Sequence, residues 1–492
     1  MANNTLILST ARCLRRDPYG RGIARRSFSS SISLLEEFRT GTAGEASTAG
    51  RPPSKNLDWD INPSSFKKPY EEFGYNQYIK INEDLKQELK QVLWQFNAPI
   101  MYAIAYGSGV FPQSKPKLDA SGTASSKSSV IHTNAAVNRA QAGNPKVVDF
   151  IFGVTHVDHW HSVNLKQHRH HYSALGSLGC GAVSRVQEKF GAGVYFNPYV
   201  NMNGMLIKYG VVSLDTLRTD LSEWSTMYVA GRLQKPVKIL RQTADIQVAN
   251  QINLISALRT ALLLLPPTFT EQELYGTIAG ISYLGDPRMS LPTEDPGKVA
   301  NIVGNNLPHF RRLYGPLIED LPNLNFNDIA CTHPDWASDA QINAKLEQDM
   351  DPQKRSNMVR RLPKNFRKKL YFQFQKKFQI PQLEFERMMT ESQDEDAQGS
   401  FKRRQGGVFE QRIAAVPPKE LGKEVRQVIK EVIGWPSTVQ SIKGLFTSGI
   451  VRTIRYVREK MQKHKAGKEK EAAKAQTALL KAAEGRGTEK KM

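Results

Sequence analysis

"AYGSGVFPQ" at residues 105–113 and "VVDFIFGV" at 147–154 decide how this chain reads. Both hold apolar runs of strand character. The first ends in a Gly-Ser-Gly turn, and the second carries one carboxylate, Asp149. Glycine lets a backbone approach a ligand closely, so a glycine turn at a strand end offers main-chain N–H groups to phosphate oxygens. Ser108 can add a hydroxyl. An unpaired carboxylate inside a strand is costly to bury, and a bound divalent cation removes that cost. Gly107, Ser108 and Gly109 therefore read as one half of a nucleotide site, and Asp149, holding Mg2+, as the other. The spacing is neither a P-loop nor G-x-G-x-x-G, and a plain tight turn is the ligand-free alternative.

Working outward, "NEDLKQELKQVLWQF" (82–96) predicts an amphipathic helix, with Leu85, Leu89, Val92 and Leu93 at helical spacing. Residues 114–146 are polar and read as a loop, and 157–172 read as a helix. Residues 191–217 suggest two strands with a turn at Asn201–Gly204, and 220–240 a helix followed by a strand. Strand, helix and strands followed by helices predict an α/β catalytic module at 70–245 and a mostly α-helical second domain at 246–333. A winged-helix-like form is among those this pattern allows. Residues 334–410 read as a charged insertion, 411–465 as C-terminal helices, and 466–492 as a disordered basic tail. The run 354–377 has ten Lys/Arg and no acid, and suits either a solvated insertion or a lipid contact.

A length of 492 residues predicts two or three domains. The net charge of +21 is concentrated at the ends, with +5 in residues 1–30 and +8 in 452–492. Such an excess attracts any polyanion, nucleic acid or anionic lipid alike. No apolar run reaches the roughly 18–20 residues of a membrane span. Three cysteines without C-x-x-C spacing exclude a disulfide framework and a cysteine zinc site. Residues 1–40 are rich in Arg and Ser, with Asp17 the only acid before Glu36, which is the composition of a mitochondrial transit peptide. Residues 41–69 read as linker.

"YGSGVF" followed by "DFIFGV" resembles the Gly-Ser turn and metal-carboxylate strand of the nucleotidyltransferase fold. "DFIFGVTHVDHWHSVNLKQHRHHYS", "GAGVYFNP", "LIKYGVVS", "LYGTIAGISYLGDPRM" and "YVAGRLQKPVKIL" are similar to the Tam41 family of mitochondrial phosphatidate cytidylyltransferases. The resemblance covers about 70–330 and resumes near 410–460. It implies the reaction of CTP with phosphatidic acid to give CDP-diacylglycerol and pyrophosphate, the first committed step toward cardiolipin, at the matrix face of the inner membrane.

Under that resemblance Asp149 binds Mg2+, Lys208 neutralises phosphate charge, and Lys166, Tyr172 and Lys235 join the glycine turn in binding substrate. Lys238 shares the ambiguity of any strand lysine, which more often faces solvent. The usual nucleotidyltransferase pair is Asp-x-Asp, but Ile151 stands at the second position. Either Asp215 or Asp220 supplies a second metal ligand, or one metal suffices. Six of the ten histidines lie between His156 and His171. They read as helix-surface residues near an anionic substrate, because His-x-x-His-x-His would spread zinc ligands over several helix faces with no cysteine to help.

A lipid substrate requires docking. Val439, Ile442, Phe446, Ile450 and Ile454 recur at three- and four-residue steps, with Lys443, Arg452 and Arg455 on other faces. Such a helix lies in the headgroup plane of an anionic membrane, or else packs its apolar stripe on the protein's own core. A different class of function, a non-catalytic matrix protein that binds RNA or scaffolds import, fits the charge but has no use for the glycine turn and Asp149. No RRM- or KH-like signature supports specific nucleic-acid binding.

Overall fold

Asn82 starts the first helix, its side-chain oxygen accepting from the Asp84 and Leu85 amides at 2.8 and 3.2 Å. That cap satisfies N–H groups that a helix start leaves without partners. In this computed structural model the described residues are 73–113, 147–290, 297–333, 335–397 and 405–448. The expected leader and linker (1–69), the tail (466–492) and Ile450, Ile454, Arg452 and Arg455 lie outside them.

Helix α1 (Glu83–Trp94) precedes β1 (Tyr102–Tyr106), β2 (Val148–Val154), α2 (Val157–Gln167) and α3 (Cys180–Lys189). A hairpin follows, β3 (Tyr195–Met202) and β4 (Met205–Ser213), turning at Asn203–Gly204, where both residues have positive φ. Then come α4 (Leu214–Glu223), the single turn α5 (Ala230–Leu233) and β5 (Lys238–Arg241). These strands form one sheet in the order β3-β4-β2-β1-β5, with β2 and β4 parallel and the other neighbours antiparallel.

Strand alternation divides the sheet's residues between two cores. Ala103, Ala105, Phe150, Phe152, Tyr209 and Val211 pack with α1 and with Trp160 of α2. Tyr102, Ile104, Ile151, Phe196 and Val212 face the other way and join a larger cluster. Its centre is α6 (Ala244–Leu264), buried on most sides, where Asn250, Gln251, Asn253, Ser256, Arg259 and Thr260 are buried beside its apolar residues.

The second half continues with β6 (Thr268–Thr270), α7 (Glu271–Ile281), α8 (Lys298–Gly304), α9 (Leu307–Asp320), β7 (Leu324–Phe326) and β8 (Lys345–Gln348). Its three strands pair antiparallel as β6-β8-β7, a small sheet that joins the region expected to be mostly helical to the expected charged insertion, which supplies β8. α10 (Pro352–Arg360), α11 (Lys364–Phe378), α12 (Gln382–Ala397), α13 (Val408–Ala414) and α14 (Pro418–Ser448) complete it.

The cationic run 354–377 is neither a solvated insertion nor a lipid contact along its apolar side. Phe366, Leu370, Tyr371 and Phe374 lie in the main core. Arg360 pairs with buried Glu410 at 2.9 Å, and Arg367 donates to the Arg360 and Leu362 carbonyls at 3.1 and 3.0 Å. These arginines serve as internal hydrogen-bond donors.

Candidate active site

Cross-strand register sets the site. Tyr106, at the end of β1, lies opposite Asp149 of β2, and Asp149 lies opposite Lys208 of β4. All three alternate onto the face that carries Ile104, Ile151 and Val212. Lys208 Nζ stands 3.5 Å from Asp149 Oδ1 and 4.7 Å from the centre of the Phe196 ring. Asp149 lies within the strand as expected, but it is not fully buried, its side chain being 28% exposed.

The glycine turn folds back over the same carboxylate. Gly107 has φ +82°, a conformation costly for any residue with a Cβ. A Cβ there would also sit 3.1 Å from Asp149 Oδ2. The Val110 and Phe111 amides both donate to the Gly107 carbonyl, leaving Ser108 and Gly109 half-exposed at the tip. A Cβ on Gly109 would meet the Val147 carbonyl oxygen at 2.8 Å. The second half of the molecule braces this loop: Asn306 donates to the Pro112 carbonyl at 2.9 Å, and Phe111 sets its ring edge against His309.

Beside this pair lies a group of cations that sequence reasoning largely missed. Arg232 of α5 donates to the Tyr106 hydroxyl at 3.2 Å and lies 4.0 Å from the Tyr228 ring centre. Lys235 donates to Ser282 Oγ at 2.8 Å and to the Gly231 carbonyl. The Tyr283 ring lies between Lys235 and Lys298, at 4.9 and 5.0 Å. Burial first, then Arg232 and Lys298, pull the Lys235 pKa down to about 7. Asp286 is held by Arg288 at 2.6 Å. Arg232, Asp286 and Arg288 fall inside the stretches "YVAGRLQKPVKIL" and "LYGTIAGISYLGDPRM", so the signal was present without a pattern to single them out. Lys238 is committed elsewhere, donating to the Ile79 carbonyl at 2.7 Å.

Lys166 and Tyr172 are not brought to this place. Lys166 is exposed on α2, which packs on the opposite sheet face through Trp160. Tyr172 is buried, its hydroxyl 2.8 Å from His161 Nδ1 and 2.9 Å from Asn164 Nδ2. Burial depresses the His161 pKa to about 4, so that ring stays neutral in the network. The acids weighed as second metal ligands are also elsewhere. Asp220 is buried, and its carboxylate accepts from the Thr226, Met227, Val229 and Ala230 amides between 2.8 and 3.0 Å. Asp215 lies past the far end of β4, about 17 Å of strand from Lys208.

Asp149 alone among these acids faces the turn. Its hard carboxylate oxygens suit Mg2+, which takes one or two protein carboxylates and fills its shell with phosphate and water.

The class is therefore a mixed α/β protein in which one sheet end joins a glycine turn, a carboxylate and clustered cations, an arrangement suited to a metal-bound polyphosphate. Sequence comparison supplies the family. Residues 89–463 match the family model described as "Phosphatidate cytidylyltransferase, mitochondrial". The protein of that name from Schizosaccharomyces pombe is 36% identical over 391 residues, 79% of this chain and 86% of its own length. That from Danio rerio is 34% identical over 376 residues, 76% of this chain and 93% of its own. That from Saccharomyces cerevisiae is 41% identical over 253 residues, 51% of this chain and 60% of its own. The chain belongs to the Tam41 family of mitochondrial phosphatidate cytidylyltransferases.

Proposed function

We propose that this protein transfers a cytidylyl group from CTP to phosphatidic acid, releasing pyrophosphate, on a nucleotidyltransferase-type sheet. The observation that carries the reading is that Lys208 Nζ lies 3.5 Å from Asp149 Oδ1 while the Gly107 turn closes over the same carboxylate, leaving only 3.1 Å between Asp149 Oδ2 and where a Cβ would stand, beside Arg232, Lys235 and Lys298. A half-buried lysine next to two other cations is electrostatically costly, and a triphosphate reverses that cost.

A phosphatidate oxygen attacks the α-phosphorus of CTP, the new P–O bond forms, and the α–β bridging bond breaks with its electron pair leaving on pyrophosphate. No general base is needed, because the attacking phosphate is already ionised. The Ser108 and Gly109 segment presents main-chain donors to the phosphates, and Lys208 and the Arg232–Lys235–Lys298 group offset charge gathering on pyrophosphate. Asp149 would hold Mg2+, whose chemistry is to bridge and neutralise phosphate oxygens.

The lipid substrate is met at a membrane surface by the outward side of α14. Trp435 and Phe446 are 76% and 77% exposed there, with Ile442 between them. Peripheral attachment on the matrix side of the inner membrane suits this helix, and among the described residues no helix is long and apolar enough to span a bilayer. The test uses protein lacking residues 1–40, labelled CTP, phosphatidic acid vesicles and Mg2+. Lipid-soluble label should form with wild type and fall at least a hundredfold with Asp149→Ala. Equal activity in the two proteins would refute the site.

A further inference from the structure

The histidine-rich run 156–171 is the sequence feature that cytidylyl transfer does not use. Helix α2 stops at Gln167: His168 has φ −132° and ψ 53°, and Arg169–His171 make one separate 3-10 turn. That break removes the objection to a metal site based on spreading ligands over helix faces. One ring nitrogen from each of His168, His170 and His171 lies within 4.8 Å of the others. We propose that these three imidazoles form a binding site for a first-row transition-metal dication of the Zn2+ type, with water as the fourth ligand.

Outer hydrogen bonds hold two of the three rings before any metal enters. His168 Nε2 lies 3.2 Å from the Gln95 carbonyl oxygen, so that nitrogen carries the proton and Nδ1 is the donor atom for a metal. His171 Nδ1 lies 2.8 Å from the Tyr209 hydroxyl, which also accepts from Asn164 Nδ2 at 3.1 Å, and ligation through His171 Nε2 requires the tautomer in which Nδ1–H donates to that oxygen. A ligating histidine commonly donates its second ring N–H to a carbonyl or a similar acceptor, which fixes its tautomer and orientation. A tetrahedral site with metal–nitrogen distances of about 2.0–2.1 Å needs its nitrogens roughly 3.4 Å apart. Closure therefore takes about 1.4 Å of side-chain movement. Exposed His170 can supply much of it. His168 and His171 now lie face to face, 4.4 Å apart with planes 7° from parallel, so one of these rings turns as the metal enters.

Imidazole sets favour zinc, copper and nickel over magnesium. The place is distinct as well: Tyr209 packs in the core on the sheet face opposite that of its neighbour Lys208. This ion would brace the end of α1 at Gln95 to α2 and β4, across the sheet from Asp149, and nothing in it depends on the catalytic assignments.

The test takes chelator-treated full-length protein and titrates it with Co2+, then with Zn2+. Wild type should develop the intense visible absorption of tetrahedral Co2+ at about one equivalent, lose it to Zn2+, and gain thermal stability with either ion. His170→Ala and His168→Ala should each weaken binding at least tenfold. Mg2+ should have no effect. His170 is exposed, so its loss disturbs the buried core least, and its result decides even if His168→Ala folds poorly. Absence of the tetrahedral spectrum in wild type, or an unchanged titration in His170→Ala, would overturn the assignment.

Discussion

Helix α14 is two helices in chemical terms. Up to Ile433 its inward side is Leu421, Val425, Val428, Ile429, Val432 and Ile433, all in the main core, while Lys423, Arg426 and Lys430 are exposed. Beyond Trp435 and Pro436 the same geometric side becomes polar: Ser437, Gln440, Lys443 and Thr447 are buried. Trp435, Ile442 and Phe446 take the outward positions. Gln440 clamps the approach to β3, accepting from the Ala192 amide at 3.2 Å and donating to the Val194 carbonyl at 3.0 Å. Lys443 donates to the Phe190 and Gln187 carbonyls at 2.6 and 3.3 Å. Lys443, expected among the cations that attract anionic headgroups, is thus an internal donor. Packing geometry decides which side is buried, and the chemistry of the other side reports the medium it meets. Charge suits water; an apolar stripe with a tryptophan suits a lipid interface.

The largest effect on this contrast should come from the first half. Ile429→Ala removes a fully buried side chain and should cost about 3 kcal/mol of stability in denaturant titration, with residual vesicle binding per folded molecule unchanged. The double variant Trp435→Ser, Phe446→Ser should do the reverse. Vesicle affinity should fall roughly a hundredfold, about 3 kcal/mol, with little change in melting temperature. A stability loss instead of a vesicle-binding loss would mean that the outer stripe packs on protein.

The smallest effect is a pH dependence. Burial lowers the Lys443 pKa to about 7 in the folded chain, below its ordinary 10.5. Between those values the unfolded chain binds more protons, so stability should rise as pH increases from about 7 toward 10, by at most about 1.4 kcal/mol per unit. Below pH 7 both states hold the proton and the contribution is flat. Lys443→Met should show a shallower rise in a pH series of thermal melts, keeping the share that Lys235, also lowered to about 7, contributes.

Much of the site's frame was legible in sequence. The apolar runs around "GSG" and Asp149 became neighbouring strands, and their register brought turn and carboxylate together. The helix expected at 82–96 spans Glu83–Trp94, and the turn expected at Asn201–Gly204 is tighter, at Asn203–Gly204, because β3 runs on to Met202. What stayed illegible depends on partners distant in the chain. Arg360 meets Glu410, and Lys443 meets Gln187, so a run of positive charge could not declare which members would be buried. Strands of three or four residues, such as β6 and β7, carry too little alternation to be read. The histidine run looked like continuous helix because nothing local marks the stop at Gln167.

The account turns on contact between a main-chain bend and the carboxylate beside it. Calorimetric titration of Mg·CTP into wild type and Gly107→Ala tests it most directly, because that one methyl group is directed at Asp149 Oδ2. We expect binding to weaken at least thirtyfold in the variant, with vesicle binding retained and the melting temperature lowered by only the few degrees that a Cβ at positive φ costs. Equal affinity for Mg·CTP in the two proteins would contradict the site.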